Sequence, residues 1–224
     1  MTSETNGVSA NPSPQTTTPI SNTAPHDSQP GGSARKSSSN VWVALTRNES
    51  AGVAGLVILL LIFVAFLGTR FHPAIQAPDA NGYWAQGTLL AETGRLWFEP
   101  EIPPQYIGMH WLVTEDGRYF SRYPPGLGSI VAIVYRLFGY QASVAVNPAL
   151  AVLALAAFYL LLRGMGLRWP WALLGVAFLM TIPSFARHAL VCDSHMAIVF
   201  LLTWGMLFLV RWSKRGRHID AFVG

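Results

Sequence analysis

Charged residues are scarce in this sequence. Asp, Glu, Lys and Arg together make up 12% of the 224 residues, whereas hydrophobic residues make up 51%. A typical soluble domain carries about 25% charged residues, and the few charges here stand between long apolar runs. The balance argues against an ordinary soluble core and is typical of a polytopic membrane protein.

Cysteine is almost absent as well, because Cys192 is the single one in the chain. One cysteine excludes an internal disulfide framework. The 15 Lys and Arg residues form no stripe of the kind that binds nucleic acid, since they lie in short clusters between the apolar runs. Membrane orientation is therefore the better interpretation of the net charge of +4.

Large apolar side chains are missing from the start of the chain, which is rich in Ser, Thr, Asn, Pro and Gly. Such a segment cannot bury enough surface to offset the entropy of ordering it, so we expect a disordered tail over residues 1–45. It does not have the pattern of a signal peptide, because its first Lys or Arg is Arg35 and the first apolar run begins only at Ala51.

Four apolar runs predict transmembrane helices, within a membrane region that we place at residues 46–213. The first, residues 51–69, holds nineteen uncharged residues, which at about 1.5 Å each nearly cover a hydrocarbon core of about 30 Å. The other three are residues 144–162, 169–186 and 194–210. The run over 123–135 is shorter and predicts an interfacial or re-entrant helix. We expect an all-α membrane protein with four transmembrane helices and a long outer loop, residues 70–143, that carries interfacial helices.

Basic residues orient this arrangement. With four spans, nine Lys and Arg residues fall on one side, which the positive-inside rule makes cytoplasmic. A fifth span over residues 123–138 would spoil this distribution by moving two arginines outside. We therefore predict a multi-pass protein of the plasma or inner membrane, with the N-terminus and residues 214–224 in the cytoplasm. The nine residues are Arg35, Lys36, Arg47, Arg163, Arg168, Arg211, Lys214, Arg215 and Arg217.

Two short stretches of the outer loop predict helices. In "DANGYWAQGTLLAETGRLWF", apolar residues recur at steps of three and four, and Gly94 is a plausible terminator. In "DGRYFSRYPPGLG", Pro124 and Pro125 suit the first turn of a helix. The free N–H groups there, Arg122, and the close approach that Gly126 and Gly128 permit could seat a phosphate. The alternative is a helix that the neighbouring aromatic residues anchor among lipid headgroups.

Two acids at predicted membrane boundaries, Asp79 and Asp193, are candidates for chemistry, because an ionisable group there is costly unless it is used or paired. Each could alternatively be the N-cap of a helix. Arg187 could clamp a phosphate or extend to the headgroups. Asp79, Asp193 and His195 could hold a divalent metal, although no metal motif of fixed spacing is present. The cations predicted on the same side are Arg122, Arg187, His72, His110, His188 and His195.

The order of these features resembles the GT-C superfamily of polytopic glycosyltransferases. The features are "PDANGYWAQGTLLAETGRL", then "H-x(5)-DG-x-YFSRYPPG", then "R-x(5)-D" at the start of a later span. The likeness covers residues 53–210 and is greatest to bacterial members related to protein mannosyltransferases and to the lipid A aminoarabinose transferase. Such enzymes extend through further spans, so we expect this chain to correspond to the N-terminal part of one.

The resemblance implies transfer of a sugar from a polyprenyl-phosphate donor to an acceptor on the outer face of the membrane. It implies Asp79 and Asp193 as catalytic residues, with Asp79 acting as general base or through a metal. It places Arg122, Tyr123 and Arg187 near the donor phosphate. The expected partners are this donor and membrane lipids, with no nucleic acid.

Two other functions stay open at this point. The chain could be a non-catalytic membrane module, or the remnant of a truncated glycosyltransferase gene. It could also be a transporter subunit, but transporters place charges in the middle of their spans. No Asp, Glu, Lys or Arg lies in the middle of a predicted span, which disfavours the transporter.

Overall fold

The computed structural model of the chain describes residues 37–75, 78–101 and 110–216. The chain divides into two compact units, residues 1–40 and 41–224, and the contacts below belong to the second. Most of the predicted tail and the residues after 216 lie outside the described part. The prediction of disorder for residues 1–36 is therefore not addressed by the structure.

Helices make up most of the described residues, as the all-α prediction requires. That prediction missed a small antiparallel sheet in the outer loop, with strand order β1-β3-β2. Strands of two and three residues give too little alternation to be recognised in a sequence. The described elements are α1 Ser37–Arg70, α2 Pro78–Thr93, β1 Trp97–Phe98, β2 Trp111–Val113, β3 Tyr119–Ser121, α3 Pro125–Val144, α4 Val146–Gly164, α5 Trp169–Thr181, α6 Pro183–Leu190 and α7 Ser194–Arg215.

Four helices of the described part are long and apolar enough to cross a membrane: residues 49–70 of α1, and α3, α4 and α7. The chain thus has the elements of a multi-pass membrane protein. Helix α1 begins at Ser37, inside the stretch of residues 1–45 that the sequence assigns to the tail. No proline or glycine stands between Ser37 and Ala51, and nothing in that stretch ends the helix.

The third predicted span, residues 169–186, is not one continuous helix. Helices α5 and α6 bend by 68° where they meet. Pro183 has no N–H to donate, and the residue before it, Ile182, has the extended backbone that a following proline favours, with φ −71° and ψ 117°. Because the chain is apolar on both sides of the break between α5 and α6, hydropathy alone did not indicate the break. The break gives α6 its own direction, with Arg187 and His188 in its last turn.

Helix α3 is long enough to span in total, but its backbone is interrupted at Gly139, where φ is 81° and ψ is −173°. The uninterrupted part, residues 125–138, rises only about 21 Å at about 1.5 Å per residue, against about 30 Å of hydrocarbon. Although α3 has enough residues to cross the membrane, the bend at Gly139 shortens the distance that it covers, because a bent segment does not reach as far as a straight one. Helix α3 starts at Pro125, with Pro124 before it, as the double proline predicts.

Both ends of α3 contact the same part of α2. Tyr123, just before α3, donates a hydrogen bond to Asp79. At the other end, Ser143 accepts a hydrogen bond of 3.0 Å from Nε1 of Trp84. Asp79 and Trp84 are about 7.5 Å apart along the helix axis. The chain therefore enters and leaves α3 beside the first half of α2, an arrangement compatible with the predicted interfacial or re-entrant segment.

Glycines let α2 and α3 pack closely. A Cβ atom on Gly87 would lie 2.5 Å from Cγ1 of Val131 and 2.8 Å from the carbonyl oxygen of Gly128. Gly128 itself lies against the side chain of Gln86, so it contributes to the close packing of the two helices. Helix α2 ends at Thr93, and Gly94 follows with φ 71°, which confirms the predicted terminator.

The opposite end of the unit gathers basic residues. Arg163 at the end of α4 forms an ion pair with Glu49 of α1. Nearby, Nζ of Lys214 in α7 donates a hydrogen bond to the carbonyl of Gly164. Helices α1, α4 and α7 thus bring together cations that charge counting predicted on one side of the membrane. Asp193 lies at the opposite end of α7 from Lys214, as its N-cap.

Candidate functional site

The first predicted acid, Asp79, lies in the first turn of α2. Its carboxylate accepts a hydrogen bond from the phenol of Tyr123, and Nδ1 of His110 lies 2.7 Å from the same phenol oxygen. Because the phenol has one proton and gives it to Asp79, Nδ1 of His110 must carry the proton of the second hydrogen bond. We call Asp79, His110 and Tyr123 the Asp79 cluster. The Asp79 side chain is 67% exposed, so solvent reaches the carboxylate.

Tyr123 sits at the centre of this cluster. Burial, followed by the hydrogen bond to Asp79, raises the pKa of its phenol to about 12. The phenol is therefore a proton donor at neutral pH. Its ring packs 4.4 Å from the ring of Tyr83, between centroids. Tyr123 thus orients an acid, a role different from the predicted phosphate contact.

Arg122 stays beside the same tyrosine. Its guanidinium carbon lies 6.0 Å from the centroid of the Tyr123 ring. Its backbone N–H donates to the carbonyl of His110 over 3.0 Å, which fixes the segment before α3 against β2. The Arg122 side chain itself is exposed.

The second predicted acid, Asp193, is the N-cap of α7, accepting a hydrogen bond of 3.1 Å from the backbone N–H of His195. The carboxylate does more than cap, because Nδ1 of His188 lies 2.7 Å from its Oδ2. Nδ1 of His195 lies 3.3 Å from Oδ1, and the two imidazole rings stack at 4.4 Å. We call His188, Asp193 and His195 the Asp193 cluster. Its carboxylate side chain is only 11% exposed.

A buried side chain of α4 holds the loop that carries the Asp193 cluster. Asn147 is fully buried, and its amide nitrogen lies within hydrogen-bonding distance of the carbonyls of His188, Val191 and Asp193. This NH₂ group shares its two protons among the three carbonyls and so holds the last turn of α6 and the loop that follows it. A polar residue inside the apolar run of α4 had no assigned role from sequence, because its partners lie more than 40 residues away.

The two clusters are connected through Tyr83. Its phenol donates a hydrogen bond of 2.9 Å to Oγ of Ser194, next to Asp193, while its ring contacts Tyr123. The set predicted for a metal, Asp79, Asp193 and His195, is only partly brought together. The group with metal-ligand geometry in the described residues is His188, Asp193 and His195, and Asp79 is not part of it.

A cationic cavity of about 210 Å³ opens between the end of α1, the start of α2 and the end of α6. Arg70, His72 and Arg187 supply its basic groups, and all three side chains are exposed. Ala80 and Cys192, the chain neighbours of the two acids, also line it. Burial raises the pKa of the Cys192 thiol to about 12, so the cavity contains no thiolate at neutral pH.

An apolar groove of about 320 Å³ lies beside the cationic cavity, between α1 and the start of α4. The two spaces are lined by neighbouring residues of the chain: Arg70 and His72 line the cavity, while Gly68 and Phe71 line the groove. Likewise, Val144 lines the cavity and the next residue, Ala145, lines the groove. The groove is lined by Val64, Leu67, Gly68, Phe71, Ala145, Pro148, Ala149 and Val152.

Of the three residues predicted near a donor phosphate, Arg187 lines the cationic cavity, whereas Arg122 and Tyr123 are not among the residues around it. Arg70 was missed by sequence reasoning, which left it at the end of a span without a role. Its position directly after an apolar run, two residues before His72, was the signal available. Such residues often only mark the membrane boundary.

No family model, curated protein or solved structure matches this chain. A function must therefore be argued from the chemistry of the site. The site has an exposed carboxylate, a buried carboxylate between two imidazoles, a cationic cavity, and an apolar groove lined by neighbouring residues.

Proposed function

We propose that the chain transfers a sugar from a polyprenyl-phosphate-linked donor to an acceptor on the outer face of the membrane. The observation that carries this proposal is a cationic cavity and an apolar groove that are lined by neighbouring residues at the end of α1. A ligand that fits both is an amphiphile with a phosphate head and a hydrocarbon tail. The acceptor is a hydroxyl-bearing molecule.

The head of the donor belongs in the cationic cavity. Arg70 and Arg187 carry planar guanidinium groups that match phosphate oxygens, and His72 adds a third donor. The tail belongs in the groove, whose lining is almost wholly apolar. Burial of hydrocarbon there gives about 0.8 kcal/mol for each CH₂ group, which provides affinity without selecting a particular sugar.

The carboxylate that acts on the acceptor is Asp79. Its neighbour Ala80 lines the cavity, and its exposed oxygen atoms are open to an incoming hydroxyl. The acceptor oxygen attacks the anomeric carbon, the bond from that carbon to the phosphate oxygen breaks, and Asp79 takes the hydroxyl proton. Arg70 and Arg187 stabilise the negative charge on the departing polyprenyl phosphate. A single displacement of this kind inverts the anomeric carbon.

The tyrosine and histidine of the Asp79 cluster hold this base in place. The phenol of Tyr123 occupies one oxygen of the Asp79 carboxylate, and His110 orients the phenol through its own hydrogen bond. The second oxygen of Asp79 is left for the acceptor. Asp193 contributes a fixed negative charge on the other side of the cavity, where its neighbour Cys192 is one of the lining residues.

This function requires the site to face outward in a plasma or inner membrane. In the arrangement we propose, α1, α4, the α5–α6 pair and α7 cross, and α3 enters and leaves at the outer surface. The basic end around Arg163 and Lys214 then faces the cytoplasm, together with the N-terminus. The GT-C resemblance supports the same orientation.

A transfer assay tests the proposal. The full-length protein in lipid nanodiscs is incubated with labelled polyprenyl-phosphate sugars and a membrane extract as the source of acceptors. We expect Asp79→Ala and Asp193→Ala to abolish transfer while both variants still insert into membranes, and the exposed control Glu115→Ala to retain it. Wild-type rates in the Asp79 variant would refute the role of the base. Donor binding without any transfer would instead support a non-catalytic membrane module.

A further inference from the structure

The Asp193 cluster brings two imidazole rings to one carboxylate. The ligand atoms of His188, Asp193 and His195 all lie within 4.8 Å of one another. Capping α7 needs only the bond from the backbone N–H of His195. It does not need two stacked histidines whose Nδ1 atoms both lie against the carboxylate. The arrangement has the composition of a metal site.

We propose that His188, Asp193 and His195 bind one divalent transition-metal ion of the zinc class. Two imidazole nitrogens and one carboxylate oxygen suit Zn²⁺ and its neighbours in the first transition row, whereas Mg²⁺ and Ca²⁺ prefer oxygen ligands throughout. Three protein ligands leave a coordination position open, as in zinc sites that bind a further small molecule. The sequence predicted Asp79, Asp193 and His195 as metal ligands, and the proposed set contains His188 in place of Asp79.

The distances are close to those that a bound ion needs. Around a tetrahedral Zn²⁺ with bonds of about 2.0–2.1 Å, neighbouring ligand atoms are about 3.3 Å apart. Nδ1 of His195 lies 3.3 Å from Oδ1 of Asp193, and Nδ1 of His188 lies 2.7 Å from Oδ2, the other oxygen of the same carboxylate. Both imidazoles must rotate to direct a nitrogen at one ion, and the side chain of His195, which is 67% exposed, has room to do so. The three ligand atoms are therefore close enough together to bind a single ion.

The surroundings of the cluster hold two of its ligands rigidly. The contacts of Asn147 with the carbonyls of His188 and Asp193 fix the backbone on both sides of the loop, a supporting role that bound metals commonly require. The positive end of the α7 dipole opposes a cation there. The Asp193 carboxylate stands at that end and carries the compensating charge.

The experiment measures ion binding directly, so its outcome does not depend on whether sugar transfer is found. The full-length protein, purified without a histidine tag and treated with chelator, is titrated with Zn²⁺ by calorimetry, and bound zinc is counted by elemental analysis. We expect one ion for each chain, no competition from excess Mg²⁺, and at least about tenfold weaker binding in His188→Asn and His195→Asn. The control His72→Asn, a histidine outside the cluster, should bind as the wild type does.

Two results would overturn the inference. One is a wild-type protein that binds no zinc, and the other is equal zinc affinity in His188→Asn, His195→Asn and His72→Asn. If the cluster variants fail to fold, X-ray absorption spectroscopy of the wild-type protein loaded with Co²⁺ identifies the metal ligands instead. Nitrogen ligands from two imidazoles support the site, and coordination by oxygen alone contradicts it.

Discussion

The two acid clusters have similar ingredients and opposite surroundings. Each joins an aspartate to histidine, but the Asp79 side chain is 67% exposed and the Asp193 side chain only 11%. A phenol orients Asp79, while two imidazoles and a helix N-terminus surround Asp193. The difference teaches that the same residue type can stand in two environments: in the proposed function, the exposed carboxylate is the base and the buried one a fixed charge.

The clusters also depend on different parts of the fold. Asp79, His110 and Tyr123 come from three separate segments that meet only where α2 packs on α3. His188, Asp193 and His195 lie within one short stretch of chain, and α4 secures that stretch through Asn147. One substitution in each supporting contact should therefore damage one cluster and spare the other.

The largest effect is expected from Asn147→Ala. The change leaves loop carbonyls without their donor, each worth about 1–3 kcal/mol when it stays unsatisfied. We expect a loss of about 3 kcal/mol in the free energy of unfolding, followed by thermal denaturation in detergent, and weaker zinc binding by the Asp193 cluster. The exposed control Asn81→Ala should change neither. An unaltered melting temperature in Asn147→Ala would show that the loop is held by other contacts.

A smaller effect is expected from Gly87→Ala, which tests the other cluster. The added methyl group meets Val131 and the backbone oxygen of Gly128, and overpacking of this kind costs about 1–3 kcal/mol. Sugar transfer should fall because Asp79 and Tyr123 separate, while zinc binding should stay at the wild-type level. The control Gly126→Ala adds its methyl group where no atom lies within 4 Å. Equal stability of the two variants would contradict the close packing of α2 on α3.

The smallest effect concerns how the free energy of unfolding falls at alkaline pH. The phenol of Tyr123 has a pKa of about 12 in the folded protein and 10.0 as its ordinary value. A raised pKa disfavours the charged form in the folded state. This contribution to stability is therefore present below pH 10 and is lost as the pH rises toward 12. Tyr123→Phe should lose about 1 kcal/mol at neutral pH and show a flatter decline between pH 10 and 12. Denaturation curves across that range check it against Tyr119→Phe, and parallel declines in the two variants would argue against the shift.

Local sequence patterns were sufficient for several elements of the fold. Gly94 marked the end of α2, the prolines at 124 and 125 marked the start of α3, and the N-cap was considered for Asp193 as an alternative to a chemical role. Each of these depends on the conformational preference of one or two residues. The same reasoning placed Asp79 and Asp193 together as candidates for the site.

Other features depended on contacts that no local pattern contains. The kink at Gly139 lies inside an apolar run, and Asn147 finds its partners only when α4 packs against the α6–α7 loop. His188 was noted only as one of several cations, because its role depends on the break before α6 that turns it toward Asp193. The GT-C resemblance, with the function it implies, stays a prediction.

The most direct test of the proposed function is donor binding at the cationic cavity. Binding of undecaprenyl phosphate to the full-length protein in nanodiscs is compared between the wild type, Arg187→Ala, and Arg168→Ala as a control at the opposite end of α5. We predict at least about tenfold weaker binding in Arg187→Ala, corresponding to about 1.4 kcal/mol, and unchanged binding in the control. Uncharged undecaprenol and inorganic phosphate should each bind more weakly than the phosphorylated lipid. Equal affinity of Arg187→Ala and the wild type, or of the uncharged and phosphorylated lipids, would contradict the account.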